Sequence, residues 1–269
     1  MDKFSQNNDK KNPFTITLCS GKGGVGTSFL TANLASAVSK LGNKVLILDS
    51  VLDLPNQHIL FGVEPPVRLS SVLSGKVNVD SALYKIDYNI SLLVDSPIEI
   101  DDDNDHILSL KEVVNQLKSE CEKEFLFIDV QSGISEELIA LSKLSDLVLI
   151  VITDEPTSLI DAYGLLKILR NYVDISKIAL IVNNVIDDED AGELSHKFNL
   201  ASTQFLGLKI DVLGFVPYSR NVRYSIQRQE ILVNNFEDDE ASSAILNISK
   251  KIHSKYFVSS YNTKMIEVL

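Results

Sequence analysis

The residues with the clearest chemical purpose sit close to the start of the chain. Ser20-Gly21-Lys22-Gly23-Gly24-Val25-Gly26-Thr27-Ser28 follows an apolar run and opens a stretch of helical pattern. Glycines tolerate backbone angles that turn successive N–H groups toward one point, and the helix N-terminus behind them adds the positive end of its dipole. Such a loop binds an anion. The pattern that holds a nucleoside phosphate in this way is G-x-x-x-x-G-K-[ST]. Gly21 and Gly26 fit it, and Ser28 fits its magnesium-binding hydroxyl, but Thr27 stands in the lysine position. The stretch is read as a phosphate loop formed by Gly21, Lys22, Gly23, Gly24, Val25, Gly26, Thr27 and Ser28, with a nucleoside phosphate and its magnesium as ligands.

The elements that must position this loop follow a rhythm. Short runs rich in Val, Ile and Leu occur at Phe14–Ser20, Lys44–Asp49, Ile90–Val94, Phe125–Asp129, Leu147–Thr153, Ile178–Asn183 and Val212–Pro217. Each is nearly apolar throughout rather than alternating, as strands buried on both faces of a parallel sheet are. Between them, 27–41, 105–122, 134–144, 157–172 and 190–206 have helical length and spacing. A last helix is expected over 238–257, where Ala241, Ala244, Ile245, Ile248 and Ile252 form one apolar face. Alternating strands and helices predict an α/β fold. Its core is a single doubly wound, mostly parallel sheet with helices on both faces. The expected division is a disordered segment at 1–12, one domain at 13–258 and a tail at 259–269.

From about residue 14 to 257 the motifs resemble those of a known family. Lys22-Gly-Gly-Val-Gly26 is similar to the deviant Walker-A loop of the MinD/ParA family of P-loop ATPases, which carries an early signature lysine and a second, phosphate-loop lysine. Leu46-Ile-Leu-Asp49-Ser-Val-Leu-Asp-Leu-Pro-Asn56 resembles the family's first switch, Asp-x-Asp followed by Asn. Phe127-Ile-Asp129-Val-Gln-Ser-Gly133 resembles its second switch. Asn183 in Val182-Asn-Asn184 and Pro217 in Gly214-Phe-Val-Pro-Tyr218 match positions that read and cover the adenine. Leu60-Phe-Gly-Val63, Ser71-Val-Leu-Ser-Gly75, Glu155-Pro-Thr-Ser158, Asp161-Ala-Tyr163 and the stretch from Pro217 to Gln229 resemble the FlhG/FleN branch, regulators of flagellar number and placement.

The resemblance implies a regulator that controls flagellar number or placement through protein contacts. It makes Lys22 the candidate catalytic residue, reaching across an ATP-dependent homodimer to the partner's phosphates. Asp49, Asn56, Asp129 and Gly133 become switch residues, and Ser28 and Asp129 the magnesium site. The implied partners are an FlhF-like GTPase or a flagellar transcription activator. The Asp-Gln-Ala motif that activates the GTPase in that branch is absent from residues 1–13.

Two departures bear on chemistry. Thr27 removes a cation from the phosphates, a charge-assisted contact worth about 1.5–3 kcal/mol, or roughly 10- to 150-fold in affinity. Val51 replaces the second aspartate of the first switch and can neither accept a proton nor orient water. The two losses offset in charge. The expectation is weakened nucleotide binding with hydrolysis weak or lost. A nucleotide-independent pseudo-ATPase adaptor or anti-activator, and an active MinD-like ATPase in cell-division or cargo positioning, remain alternatives. Gln131 and Ser132 also depart from the family's second switch.

Composition narrows the rest. The chain has 269 residues, 45% hydrophobic and 23% charged, which is ordinary globular usage and excludes disorder throughout. A formal charge of -12 argues against a nucleic-acid-binding surface. Two cysteines, Cys19 and Cys121, exclude a disulfide scaffold and a four-cysteine zinc site. His58, His106, His196 and His253 show no metal spacing, and Asp101, Asp102, Asp103 and Asp105 read as a helix start. No apolar run reaches the roughly 18 residues that span a bilayer. The N-terminal residues lack a signal peptide's apolar centre, so a cytoplasmic protein is expected. The tail is expected not to bind membrane by itself, which leaves peripheral contact as a secondary possibility. Lys250, Lys251 and Lys255 read as a solvated basic face.

Overall fold

The computed structural model describes residues 12–51, 54–95, 103–120 and 122–266. The expectations for residues 1–11, Asp101, Asp102, Cys121 and the end of the tail lie outside the described residues. Eight strands form one sheet: β1 (Phe14–Cys19), β2 (Val45–Asp49), β3 (Tyr84–Lys85), β4 (Ile90–Leu93), β5 (Phe125–Asp129), β6 (Leu147–Ile152), β7 (Ile178–Val185) and β8 (Asp211–Pro217). Their order is β3-β4-β2-β5-β1-β6-β7-β8, and each neighbouring pair is parallel except β3 with β4. The seven expected strands are present. β3, a two-residue antiparallel edge, is too short to leave a periodic signal.

Burial on both faces explains the apolar runs. Strand residues alternate between two cores: Leu46, Leu48, Leu126 and Ile128 enter one, while Val45, Ile47, Phe125 and Phe127 enter the other. Each such side chain contributes about 1.5–3 kcal/mol when fully buried. The helices are α1 (Thr27–Lys40), α2 (Gln57–Leu60), α3 (Leu69–Leu73), α4 (Val79–Ala82), α5 (Asp103–Glu120) and α6 (Glu136–Leu144). They continue with α7 (Pro156–Leu169), α8 (Asp188–Leu206), α9 (Arg220–Arg228), α10 (Leu232–Asn235) and α11 (Glu240–Ile266). Leu110 and Val114 of α5, Leu165 of α7 and Phe198 of α8 close the first core. Leu30 and Leu34 of α1, with Ile245 and Ile252 of α11, close the second.

Caps set boundaries that periodicity placed loosely. Ser135 accepts a hydrogen bond from Leu138 N and starts α6. Asp187 accepts one from Asp190 N and starts α8 earlier than expected. α11 passes Val258 and continues to Ile266. Lys251 and Lys255 are not simply solvated. Lys251 Nζ donates to Leu213 O at 2.6 Å and Lys255 Nζ to Asp211 at 3.1 Å, tying α11 to the edge strand β8.

Because the seven long strands run parallel, the loops after β1, β2, β5, β6, β7 and β8 all lie at one edge of the sheet. β1 lies between β5 and β6, where the winding direction reverses and ligands of such sheets are held.

Candidate functional site

The loop leaving β1 is shaped by contacts as well as by an anion's needs. Gly24 and Gly26 adopt φ of 84° and 90°, angles costly for a side-chain-bearing residue. A Cβ on Gly21 would stand 2.3 Å from the backbone of Asp161, so α7 demands that glycine by close approach. Asn183, at the end of β7, donates from Nδ2 to Val25 O at 2.8 Å, and a Cβ on Gly26 would collide with the same amide. α1 has no side-chain cap and no acidic residue in its first turn, which leaves its leading N–H groups to a ligand. Beside the loop lies a cavity of about 440 Å³ lined by Gly24, Val25, Gly26, Phe29, Asn183, Pro217, Tyr218, Val222 and Arg223, among others. The sequence-derived residues of the loop, Asn183 and Pro217 therefore come together. Tyr218, in the loop expected to cover the base, lines the cavity as well. Phe29, Val222 and Arg223 were missed, the last two on α9, whose nine residues carry only two aliphatic side chains.

The two positions expected to hold or replace cations are both engaged within the chain. Thr27, buried, donates from Oγ1 to Ser20 Oγ at 3.1 Å. Ser20 Oγ lies 2.8 Å from Lys22 O and 3.2 Å from Ser132 Oγ, with one hydrogen to give. Gly133 N donates to Ser20 O at 2.9 Å, so the loop after β5 is fastened to the phosphate loop. Lys22 pairs with Glu155 and donates to Thr157 Oγ1 at 3.1 Å, which holds its ammonium at the start of α7.

At the ends of β2 and β5, Asp49 and Asp129 stand in register and fully buried. Asp49 accepts from Val51 N at 3.1 Å and from Asn56 N and Gln57 N, each at 2.9 Å. Burial first, then repulsion from Asp129, pushes the Asp49 carboxyl up to about 8 despite those three donors. Burial raises Asp129 to about 6, opposed by Gln57 and by the hydroxyls of Ser28 and Thr31 beside it. Gln57 Nε2 donates to Asp129 Oδ2 at 2.7 Å and to Ser28 O at 3.0 Å. Asn56 Oδ1, Gln57 Oε1 and Asp129 Oδ1 are buried without a donor among the described residues. The Asp129 carboxylate, the Ser28 hydroxyl and the orphaned acceptor oxygens suit a hard, oxygen-seeking cation such as magnesium. Ser28 and Asp129, the two residues expected to face magnesium, are neighbours here. Gln57 was missed, since it lies in a segment without periodic signal and reaches Asp129 only because β2 and β5 are neighbours.

The profile of the CobQ/CobB/MinD/ParA nucleotide-binding domain matches residues 16–233. The chain belongs to this family. Among its MinD/ParA relatives, the antiactivator FleN of Pseudomonas aeruginosa is 27% identical over 89% of this chain and 86% of its own length. The flagellum site-determining protein YlxH of Helicobacter pylori is 28% identical over 92% and 84%. The MinD cell division protein of Aquifex aeolicus superposes with a TM-score of 0.73 at 26% identity, covering 89% of this chain and 96% of that one. The MinD/ParA resemblance and the doubly wound fold are thereby established, and FleN/FlhG-like proteins stand among the relatives.

Other chemistry-bearing residues serve packing. Cys19 is buried in β1, its Sγ 3.6 Å from Leu149 O, and burial pushes its thiol up to about 12. His253 stacks on Phe125. Among the described residues no three His, Cys, Asp or Glu side chains gather as a ligand set, and no helix is long and apolar enough to cross a membrane.

Proposed function

We propose that this chain is a MinD/FlhG-type regulator that acts through protein contacts and holds a nucleotide weakly, with hydrolysis lost. The observation that carries this reading is the engagement of Thr27 with Ser20 and of Lys22 with Glu155, which leaves neither side chain turned to a phosphate. In this reading, backbone N–H groups of Gly23, Gly24, Val25 and Gly26 take the phosphates, and Asn183 and Pro217 bound the base. Ser28 and Asp129 face magnesium, which when present neutralises phosphate charge. Gly21 serves the approach of α7. Asp49, Asn56, Asp129 and Gly133 are the switch positions. Val51 offers no acceptor to a water nucleophile, so general-base help from that position is gone. Lys22 regains its signature role only if Glu155 releases it, as in an ATP-dependent dimer.

The similarity to FleN and YlxH supports a flagellar role in the cytoplasm or at its membrane face, with an FlhF-like GTPase or a flagellar transcription activator as the partner. A nucleotide-independent adaptor is favoured by one observation: Ser20 ties the phosphate loop to Ser132 and Gly133 through bonds within the chain. Calorimetry with ADP and ATP, paired with a phosphate-release assay, separates these readings. Weak but measurable heat with background turnover is expected. Robust turnover by the unaltered chain overturns the loss of hydrolysis, and no heat at all leaves the adaptor.

A further inference from the structure

We propose that Gln57 is a positioning residue for the divalent cation that accompanies the nucleotide, its side-chain oxygen serving the cation's hydration shell. This rests on the reading above that the cavity takes a nucleotide. The orientation of the amide is settled by its neighbours. Both groups within reach of Nε2, Asp129 Oδ2 at 2.7 Å and Ser28 O at 3.0 Å, are acceptors, so the nitrogen faces them and Oε1 faces away. The backbone N–H of Gln57 is fixed as well, donating to Asp49 Oδ2. The residue is completely buried, yet Oε1 has no donor among the described residues.

Buried acceptors left without a donor are rare, and each calls for a cause. Here Oε1 has company. Asp129 Oδ1, on the carboxylate that Gln57 itself holds, and Asn56 Oδ1, on the preceding residue, are enclosed in the same way. The three acceptor oxygens lack donors, and the Asp129 carboxylate beside the Ser28 hydroxyl has no cationic side chain against it among the described residues. A hydrated magnesium ion supplies both, because it keeps several waters, each of which donates. Gln57 joins the two halves of the site, with one end of its amide on Asp129 and the helix start, the other toward the missing donors. Residues that orient a cation's water without ligating it typically contribute 10- to 100-fold in affinity.

The test uses the full chain saturated with ADP and follows Mn²⁺ by electron paramagnetic resonance, with ADP affinity in EDTA measured alongside. Gln57→Met, which keeps the volume, is expected to weaken Mn²⁺ by at least about 10-fold while ADP affinity in EDTA stays within about twofold. Gln57→Glu places a carboxylate at the same atoms and is expected to tighten Mn²⁺. A merely structural glutamine would weaken binding in both variants. A group that only neutralises Asp129 would, once removed, leave the cation's affinity equal or higher in Gln57→Met. Unchanged or tighter Mn²⁺ in Gln57→Met overturns the proposal, as does weaker Mn²⁺ in Gln57→Glu. If neither the unaltered chain nor Thr27→Lys binds ADP, the nucleotide reading falls and takes this inference with it. If ADP binds and Mn²⁺ ignores Gln57, this inference alone falls.

Discussion

Thr27 marks the site most sharply, because its hydroxyl completes a contact with Ser20 where a lysine would present a charge to phosphate. Thr27→Lys exchanges a neutral hydrogen bond inside the loop for an ionic one to the ligand. ATP affinity, read by calorimetry, is expected to rise by roughly 10-fold or more. An unchanged affinity would mean that the cavity beside the loop does not present phosphate to position 27. The loop residues, Asn183 and Pro217 were legible in the sequence because each belongs to a short local motif. Gln57 and Arg223 were not. Gln57 matters through a carboxylate 72 positions away, and Arg223 reaches the cavity only once α9 is placed against the loop. Spacing along a chain carries no trace of such contacts.

At the scale of elements, the long buried strands announced themselves and the short pieces did not. β1, β2, β5 and β6 are buried at every residue, so their apolar runs are continuous. α2, α3 and α4 span four or five residues each, too few for a helical period to repeat. Helix starts were legible to within a few residues, and the corrections came from capping side chains. Ser135 fixes α6 directly after the second switch, so its cap couples a helix start to the loop that holds Ser132 and Gly133. Ser135→Ala is expected to lower the unfolding free energy by about 0.5–2 kcal/mol in urea denaturation, with an unchanged m-value. A change below the error of the fit would show that tertiary packing of Leu138 and Leu141, not the cap, sets the start of α6.

For the whole molecule, charge and the direction of the last helix decide what a membrane would meet. The chain carries 37 acidic and 25 basic residues, so an anionic bilayer repels it at long range. The apolar face of α11 is already used. Ala241, Ile245, Ile248 and Ile252 are buried in the core shared with α1 and β8, and Tyr256 packs on Phe14 and Phe125. Detaching that face to lie on lipid would expose the second core, whose aliphatic side chains contribute about 1.5–3 kcal/mol each. Beyond residue 258 the sequence offers a single basic residue, Lys264. One lysine near anionic lipid is worth about 1 kcal/mol, whereas peripheral helices that bind stably carry many. Sedimentation with phosphatidylserine-containing vesicles is therefore expected to leave the full chain in the supernatant, with or without ATP, just as it leaves a version ending at Val258. Pelleting of the full chain that disappears on truncation would show that residues 259–269 overcome the repulsion, and would give the protein a surface role that its charge argues against.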